Sequence, residues 1–218
     1  MMASCLYIVG TPIGNLEDIT LRGIRILKEV DIIAAEDTRQ TAKLLNHYDI
    51  KKPMISYHEH NKKTKGDEII GLIFQGKNVA LVSDAGMPCV SDPGEDLVRL
   101  CVEKGIEVIP IPGPSASLTA LSISGLPTSR FVFEGFLPTK GKERKERLER
   151  LRKENRTIIL YEAPHRLMTT LKDLKEYMGN VNISISRELT KKFEETLRTD
   201  LEGAIEEFSN RNIRGEFV

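Results

Sequence analysis

Short apolar runs alternate with amphipathic stretches through the first half of the chain. Cys5–Val9, Asp31–Ala35, Val79–Val82 and Ile106–Ile111 read as buried strands, and Lys51–Asn61 as a further strand with its loop. Between them lie helical patterns. Leu21, Ile24, Leu27 and Val30 recur every three residues behind Thr20, a ready cap, and Asp67–Gln75 and Glu95–Lys104 close at Gly76 and Gly105. Strand, loop and helix in repeated succession predict an α/β fold with a mostly parallel sheet and helices on its faces. In the second half, Leu118–Ile123 finishes a helix and 124–129 has the composition of a connection. Arg130–Phe136, Thr157–Tyr161 and Val181–Ile185 read as strands, Leu167–Tyr177 and Asp200–Phe208 as helices, and Gly215–Val218 as the start of a strand.

Composition narrows this picture. The 218 residues carry 32 Lys and Arg against 32 Asp and Glu, so attraction to a polyanion must come from a local patch. One such patch is 140–156, with nine Lys and Arg against four Glu and only Leu148 and Leu151 apolar. It reads either as a solvated helix laced with i,i+4 ion pairs or as a phosphate-contacting face. Mean hydropathy is −0.26 and no apolar run approaches a membrane span. Met1–Cys5 lacks the basic region of a leader, and Cys5, Cys89 and Cys101 are odd in number and widely spaced. These features predict a protein of the cytoplasm with no disulfide framework.

The candidate chemistry sits in loops at the ends of apolar runs. Leu81–Gly94 is the richest. An apolar run ends at Ser83 and Asp84, and a loop of small residues with two prolines follows, as in the ligand crevices of α/β sheets. A plainer reading makes Asp92 a helix cap and Pro93 the first helical residue, but no cap requires Ser83 to Met87. Gly10–Asn15 and Pro110–Ser117 are two more Gly/Pro loops. Glu36-Asp37-Thr38-Arg39 is either a helix start capped by Thr38 or a functional cluster. His165 and Arg166 place cations where a helix start disfavours them. Alternation sets His58 and His60 on one strand face, yet no further Cys or His completes a metal site, so none is expected. Gly71–Lys77 matches the opening of a P-loop, but its glycines precede a strand and Asn78 stands where Ser or Thr is needed. No G-x-G spacing occurs.

Eight segments taken together resemble a known family. Val9-Gly-Thr-Pro-Ile-Gly-Asn-Leu, Ala35-Glu-Asp-Thr-Arg, Ser56-Tyr-His-Glu-His-Asn, Val82-Ser-Asp-Ala-Gly-Met-Pro, Pro112-Gly-Pro-Ser, Gly135-Phe-Leu-Pro, Tyr161-Glu-Ala-Pro-His-Arg and Ser186-Arg-Glu-Leu-Thr-Lys are similar to the bacterial small-subunit ribosomal RNA methyltransferases of type I. Those are 16S rRNA cytidine 2′-O-methyltransferases of the tetrapyrrole-methylase superfamily. The resemblance implies two α/β domains, 1–117 and 118–218, with S-adenosylmethionine in a cleft between them. It also implies 16S rRNA or the small ribosomal subunit as partner, a homodimer, and no DNA or membrane partner. By the same resemblance, Pro12, Ser83, Asp84, Ala85, Gly86, Ser91, Asp92, Pro112, Gly113 and Ser115 contact the cofactor. Arg39, Arg166, Arg187 and Glu188 face the substrate, and Asp37, Glu162 and His165 are candidates for a general base. It further implies a continuation of the final strand and a small helical region beyond Val218. A tetrapyrrole methyltransferase and a non-catalytic RNA-binding assembly factor are the alternative readings.

Overall fold

The computed structural model describes residues 4–218, so the start of the segment expected to lack a leader, Met1–Ala3, lies outside the described residues. The chain forms two compact units, Met1–Ser115 and Ala116–Val218, and the stretch 124–129 lies within the second.

The first unit is built on five parallel strands: β1 (Leu6–Val9), β2 (Ile32–Ala35), β3 (Met54–Ser56), β4 (Val79–Val82) and β5 (Val108–Ile111), in the spatial order β3-β2-β4-β1-β5. The helices are α1 (Leu21–Glu29), α2 (Thr38–His47), α3 (Lys62–Phe74) and α4 (Glu95–Glu103). Every residue of β4 is buried, as expected of a central strand covered on both faces. One core cluster gathers Leu27, Val30, Ile33, Leu44 and Ile111. The other gathers Leu6, Ile69, Leu81, Leu97 and Cys101. The chain leaves β1 across β4 and leaves β4 across β1, so the order reverses where β1 and β4 lie side by side. Crevices at such reversals, at the carboxyl ends of the strands, hold the ligands of open α/β sheets.

Several local expectations shift. Thr20 does cap α1, its hydroxyl accepting from Gly23 N–H at 2.9 Å. The buried stripe, however, is Gly23, Ile26, Leu27 and Val30, while Leu21 is 86% exposed. A period of 3.6 carries Leu21 round to water. Helix α3 begins at Lys62, five residues before the periodic apolar pattern, because its first turns are polar. His58 and His60 stand at a turn after β3, not on one face of a strand, with ring centroids 5.9 Å apart.

The second unit contains α5 (Ala116–Ile123), β6 (Phe131–Phe136), α6 (Gly141–Leu151), β7 (Thr157–Tyr161), α7 (Leu167–Met178), β8 (Asn182–Arg187), β9 (Glu195–Asp200) and α8 (Leu201–Ser209). Strands β6 and β7 pair in parallel, β8 and β9 antiparallel. Sequence reading missed β9, because Glu195-Thr-Leu-Arg-Thr-Asp is too polar to show an apolar run. It became a strand by pairing along its whole length with β8. The last residues are also paired. Phe217 exchanges backbone hydrogen bonds with Glu162, and Val218 with Ser186, so this short segment lies between β7 and β8. Helix α6 is less solvated than its charge suggests. Arg144 is only 6% exposed and donates to Asp173, Thr170 and the Pro138 carbonyl at 2.8–2.9 Å. No helix among the described residues is long and apolar enough to cross a membrane.

Candidate cofactor site and second-unit polar cluster

In the first unit, every residue expected at the cofactor falls at the carboxyl ends of three adjacent strands. Pro12 follows β1, Ser83 to Asp92 follow β4, and Pro112 to Ser115 follow β5. The loops are locked together by their backbones. Thr11 N–H donates to the Gly86 carbonyl at 2.9 Å and Gly86 N–H to the Thr11 carbonyl at 3.1 Å. The buried Thr11 hydroxyl donates to the Ser83 carbonyl at 3.1 Å. On the other side of β1, a Cβ on Gly10 would stand 2.7 Å from the Gly113 Cα, and one on Gly113 would stand 2.8 Å from the Gly10 Cα. Only glycine permits that approach.

The loop after β4 stores strain. Cys89 and Ser91 adopt φ of +70° and +63°, and Gly94 adopts +141°. Non-glycine residues in this region persist only where their surroundings hold them, and they concentrate at ligand sites. Gly94, not Asp92, precedes the first helical residue of α4, and a Cβ there would collide with Cys89 Sγ and Leu81. The expected capping role of Asp92 is therefore absent, and its carboxylate turns toward Ser83, Glu36 and Asp84. Burial, then the charge of Glu36, push Asp92 up to about 6, with the Ser83 hydroxyl opposing. Glu36 is raised by burial and then by the charge of Asp84, and Asp84 is raised by burial, opposed by the Asp37 N–H it accepts from.

Asp37 ties the next strand end to this group, its N–H donating to Asp84 Oδ1 at 3.1 Å. It also caps α2, a role expected of Thr38, by accepting from Arg39 N–H at 2.8 Å. The Arg39 guanidinium grips the same carboxylate at 3.0 and 2.6 Å and holds it down at about 2.

None of Glu36, Asp84 or Asp92 forms an ion pair among the described residues. Arg39 acts on Asp84 and His58 on Glu36 only from beyond ion-pair distance. Three carboxylates at one strand end with no ion-pair partner among the described residues suit a ligand that brings cationic groups and hydroxyls, and S-adenosylmethionine carries an ammonium, a sulfonium and ribose hydroxyls. The glycine contacts leave the loop backbones free to approach such a ligand. The residues therefore fit the implied cofactor. Glu36 and Thr11 were not picked out from sequence. The cluster 36–39 reads from sequence equally as a helix start or a functional group, which does not single out Glu36, and Thr11 is masked by the Gly/Pro loop around it. Burial, then the charges of Asp92 and Glu95, push the Cys89 thiol up to about 11, away from the thiolate form. Among the described residues no group of His, Cys, Asp and Glu is placed to hold a metal ion.

In the second unit, Glu162, His165, Arg166, Arg187 and Glu188 follow β7 and β8. Glu162 is 6% exposed. Its carboxylate accepts from the Thr170 hydroxyl at 2.5 Å and Ala163 N–H at 2.9 Å, and lies 3.4 Å from Arg166 Nε. Arg166 in turn donates to the Leu137 carbonyl at 2.5 Å, and Thr170 accepts from Arg144. The cluster fixes the Leu137–Pro138 loop. His165 is exposed and makes no hydrogen bond or ion pair among the described residues. Arg187 Nε donates to the Arg214 carbonyl at 2.7 Å, and Glu188 accepts from Lys191 and Glu216 N–H, both at 3.0 Å.

The chain is similar to known proteins in sequence and in fold. The family model described as tetrapyrrole (corrin/porphyrin) methylases matches residues 5–205. The chain is 56% identical over 212 residues to the ribosomal RNA small subunit methyltransferase I of Halalkalibacterium halodurans, covering 97% of this chain and 73% of that protein. It is 53% identical to the protein of the same name from Thermotoga maritima, covering 98% and 96%, so the relatives differ in length. Among solved structures, a diphthine synthase superposes with a TM-score of 0.75 at 16% identity, covering 99% of this chain and 89% of that one. A uroporphyrin-III C-methyltransferase from Thermus thermophilus, complexed with S-adenosyl homocysteine, superposes with 0.65 at 20% identity, covering 98% and 95%. These two likenesses establish the fold. With the family model spanning most of its length and relatives above half identity, the chain belongs to the tetrapyrrole methylases and, within them, to the ribosomal RNA small subunit methyltransferase I family.

Proposed function

We propose that the chain is an S-adenosylmethionine-dependent methyltransferase acting on 16S ribosomal RNA, with a cytidine ribose 2′-hydroxyl as acceptor. The observation that carries the proposal is the unpaired carboxylate group Glu36, Asp84 and Asp92 on glycine-locked loops, in a chain of this family. Bound there, S-adenosylmethionine supplies an electrophilic methyl group. The chain's own contribution is orientation and charge. Asp84 and Asp92 attract the ligand's cationic and hydroxyl groups, and the paired loops of Thr11 and Gly86 hold those carboxylates still. No covalent residue is needed.

Removal of the ribose proton falls to His165. The Arg39 guanidinium holds Asp37 down at about 2, which makes it a weak base, and Glu162 is spent on Thr170, Ala163 and Arg166, whereas the His165 ring is exposed and makes no hydrogen bond or ion pair among the described residues. Arg39, 88% exposed at its side chain, and the exposed cations of α6 supply phosphate contacts. Among the described residues, Lys142–Glu146 at 3.6 Å is the one i,i+4 ion pair on α6. This favours the phosphate-contacting reading of the helix over the ion-pair-laced one. A homodimer is part of the same reading.

The test is transfer of labelled methyl from S-adenosylmethionine to small ribosomal subunits lacking the modification, followed by alkaline hydrolysis. Label in an alkali-stable dinucleotide with a 5′ cytidine supports the proposal. Label on a base, on protein, or on a tetrapyrrole alone contradicts it.

A further inference from the structure

The turn joining β8 to β9, residues 188–194, is held more firmly than its exposed position requires. Glu188 and Thr190 adopt φ of +50° and +66°, a conformation their side chains disfavour. Lys191 Nζ braces the turn between Glu188 at 3.0 Å and Glu216 at 2.8 Å. Thr190 N–H donates to the Glu194 carboxylate at 2.5 Å, and Leu189 is buried beneath. At the tip two side chains are left facing water. Phe193 is 64% exposed, and Lys192, which pairs with no carboxylate among the described residues, holds its ammonium 5.7 Å from the Phe193 ring centroid.

A phenyl ring carried into water on a braced turn, beside an ammonium, matches one ligand chemistry closely. An unpaired nucleotide offers a flat base to stack on the ring and a phosphate to meet the cation. Sequence-specific RNA recognition uses such splayed bases, because side chains cannot read the deep groove of an RNA duplex. The strained, braced backbone pre-orders the platform, so little freedom is lost on binding. The turn also follows directly from Arg187 and precedes Glu195, which the Arg187 guanidinium approaches at 3.5 Å.

We infer that Phe193, flanked by Lys192, is the stacking platform for an unpaired nucleotide of the RNA substrate. This rests on the ribosomal RNA reading above. The experiment uses the full chain, a single-stranded oligoribonucleotide carrying 2-aminopurine, and small ribosomal subunits. Wild type should quench the 2-aminopurine on binding. Phe193→Ala should abolish the quench and weaken RNA binding roughly tenfold, with thermal midpoint and S-adenosylmethionine affinity unchanged. Phe193→Trp should restore both signals, and Lys192→Ala should weaken binding and lower its salt dependence.

If wild type methylates ribosomal RNA and Phe193→Ala binds and quenches like wild type, the platform is wrong and the enzyme reading stands. If wild type neither binds nor methylates RNA, the enzyme reading fails and the platform falls with it. A Phe193→Ala chain with intact RNA binding but altered sedimentation would make the ring a self-association contact and overturn the inference.

Discussion

The backbone N–H of Asp37 donates to the carboxylate of Asp84 at 3.1 Å, joining the ends of two neighbouring parallel strands. The bond sets one Asp84 oxygen, while its neighbours Glu36 and Asp92 have no ion-pair partner among the described residues. The chain thus builds, at the carboxyl ends of its inner strands, a crevice with a deficit of positive charge. That deficit has consequences that pH, substitution and salt can expose.

Asp92 sits at about 6, above the ordinary carboxylate value, chiefly through burial. A raised acid costs folding stability above its folded value, and the cost disappears as pH falls below the unfolded value near 4. Asp92→Asn should therefore stabilise the free protein at pH 8, by on the order of 1 kcal/mol after allowance for its partial exposure, and not at pH 4. Ligand binding should run the other way. A cationic cofactor favours the ionised form, so affinity for S-adenosylmethionine should fall as pH drops through about 6, and Asp92→Asn should flatten that dependence. Thermal melts and titrations across pH 5 to 8 check both signs.

Gly10 and Gly113 touch backbone to backbone, and a methyl group at either would press on the other's main chain. Backbone cannot yield as a side-chain tip can. Gly113→Ala should cost about 1–3 kcal/mol of stability and weaken cofactor binding, because the loops after β1 and β5 must part. Chemical denaturation against wild type measures the first effect, and a cofactor titration the second.

Glu162 and His165 are three residues apart in sequence but play different parts. Glu162→Ala would leave Arg166 and Thr170 facing an uncompensated gap in a buried cluster. It should destabilise the protein by about 3 kcal/mol, seen as a lower thermal midpoint. His165→Ala should leave the midpoint unchanged and slow single-turnover methyl transfer by roughly 10²-fold or more. An unchanged rate would remove His165 as the base.

Lys145, Arg150, Arg152 and Lys153 of the α6 region are exposed and have no ion-pair partner among the described residues. Each contact to phosphate releases counterions, so RNA affinity should fall steeply with salt. Replacing Lys145 and Lys153 together by Gln should lower the slope of log K against log salt by about 2 while sparing cofactor affinity. Filter binding at several salt concentrations gives the slope.

The parallel sheet of the first unit and the three loops at its edge were legible in the chain, because buried parallel strands are continuous apolar runs and Gly/Pro loops punctuate them sharply. Asp92 is named for the cofactor by resemblance alone, because its local pattern points elsewhere. An Asp-Pro pair before a helical pattern predicts a cap, whereas Gly94, at a positive φ, takes the position before α4. Strand β9 was hidden because its identity comes from pairing with β8, a non-local fact. Arg144 was hidden among surface cations because its burial depends on Asp173 and Thr170, distant in sequence. Pattern finds what local composition determines, and partners far along the chain determine the rest.

The most direct test of the carboxylate crevice is calorimetric titration of the chain with S-adenosylmethionine, wild type beside Asp84→Ala. The account predicts saturable binding by wild type at pH 7.5 and a loss of at least tenfold in the variant, with both proteins folded. Equal affinity in the two, or no binding to folded wild type, would contradict it.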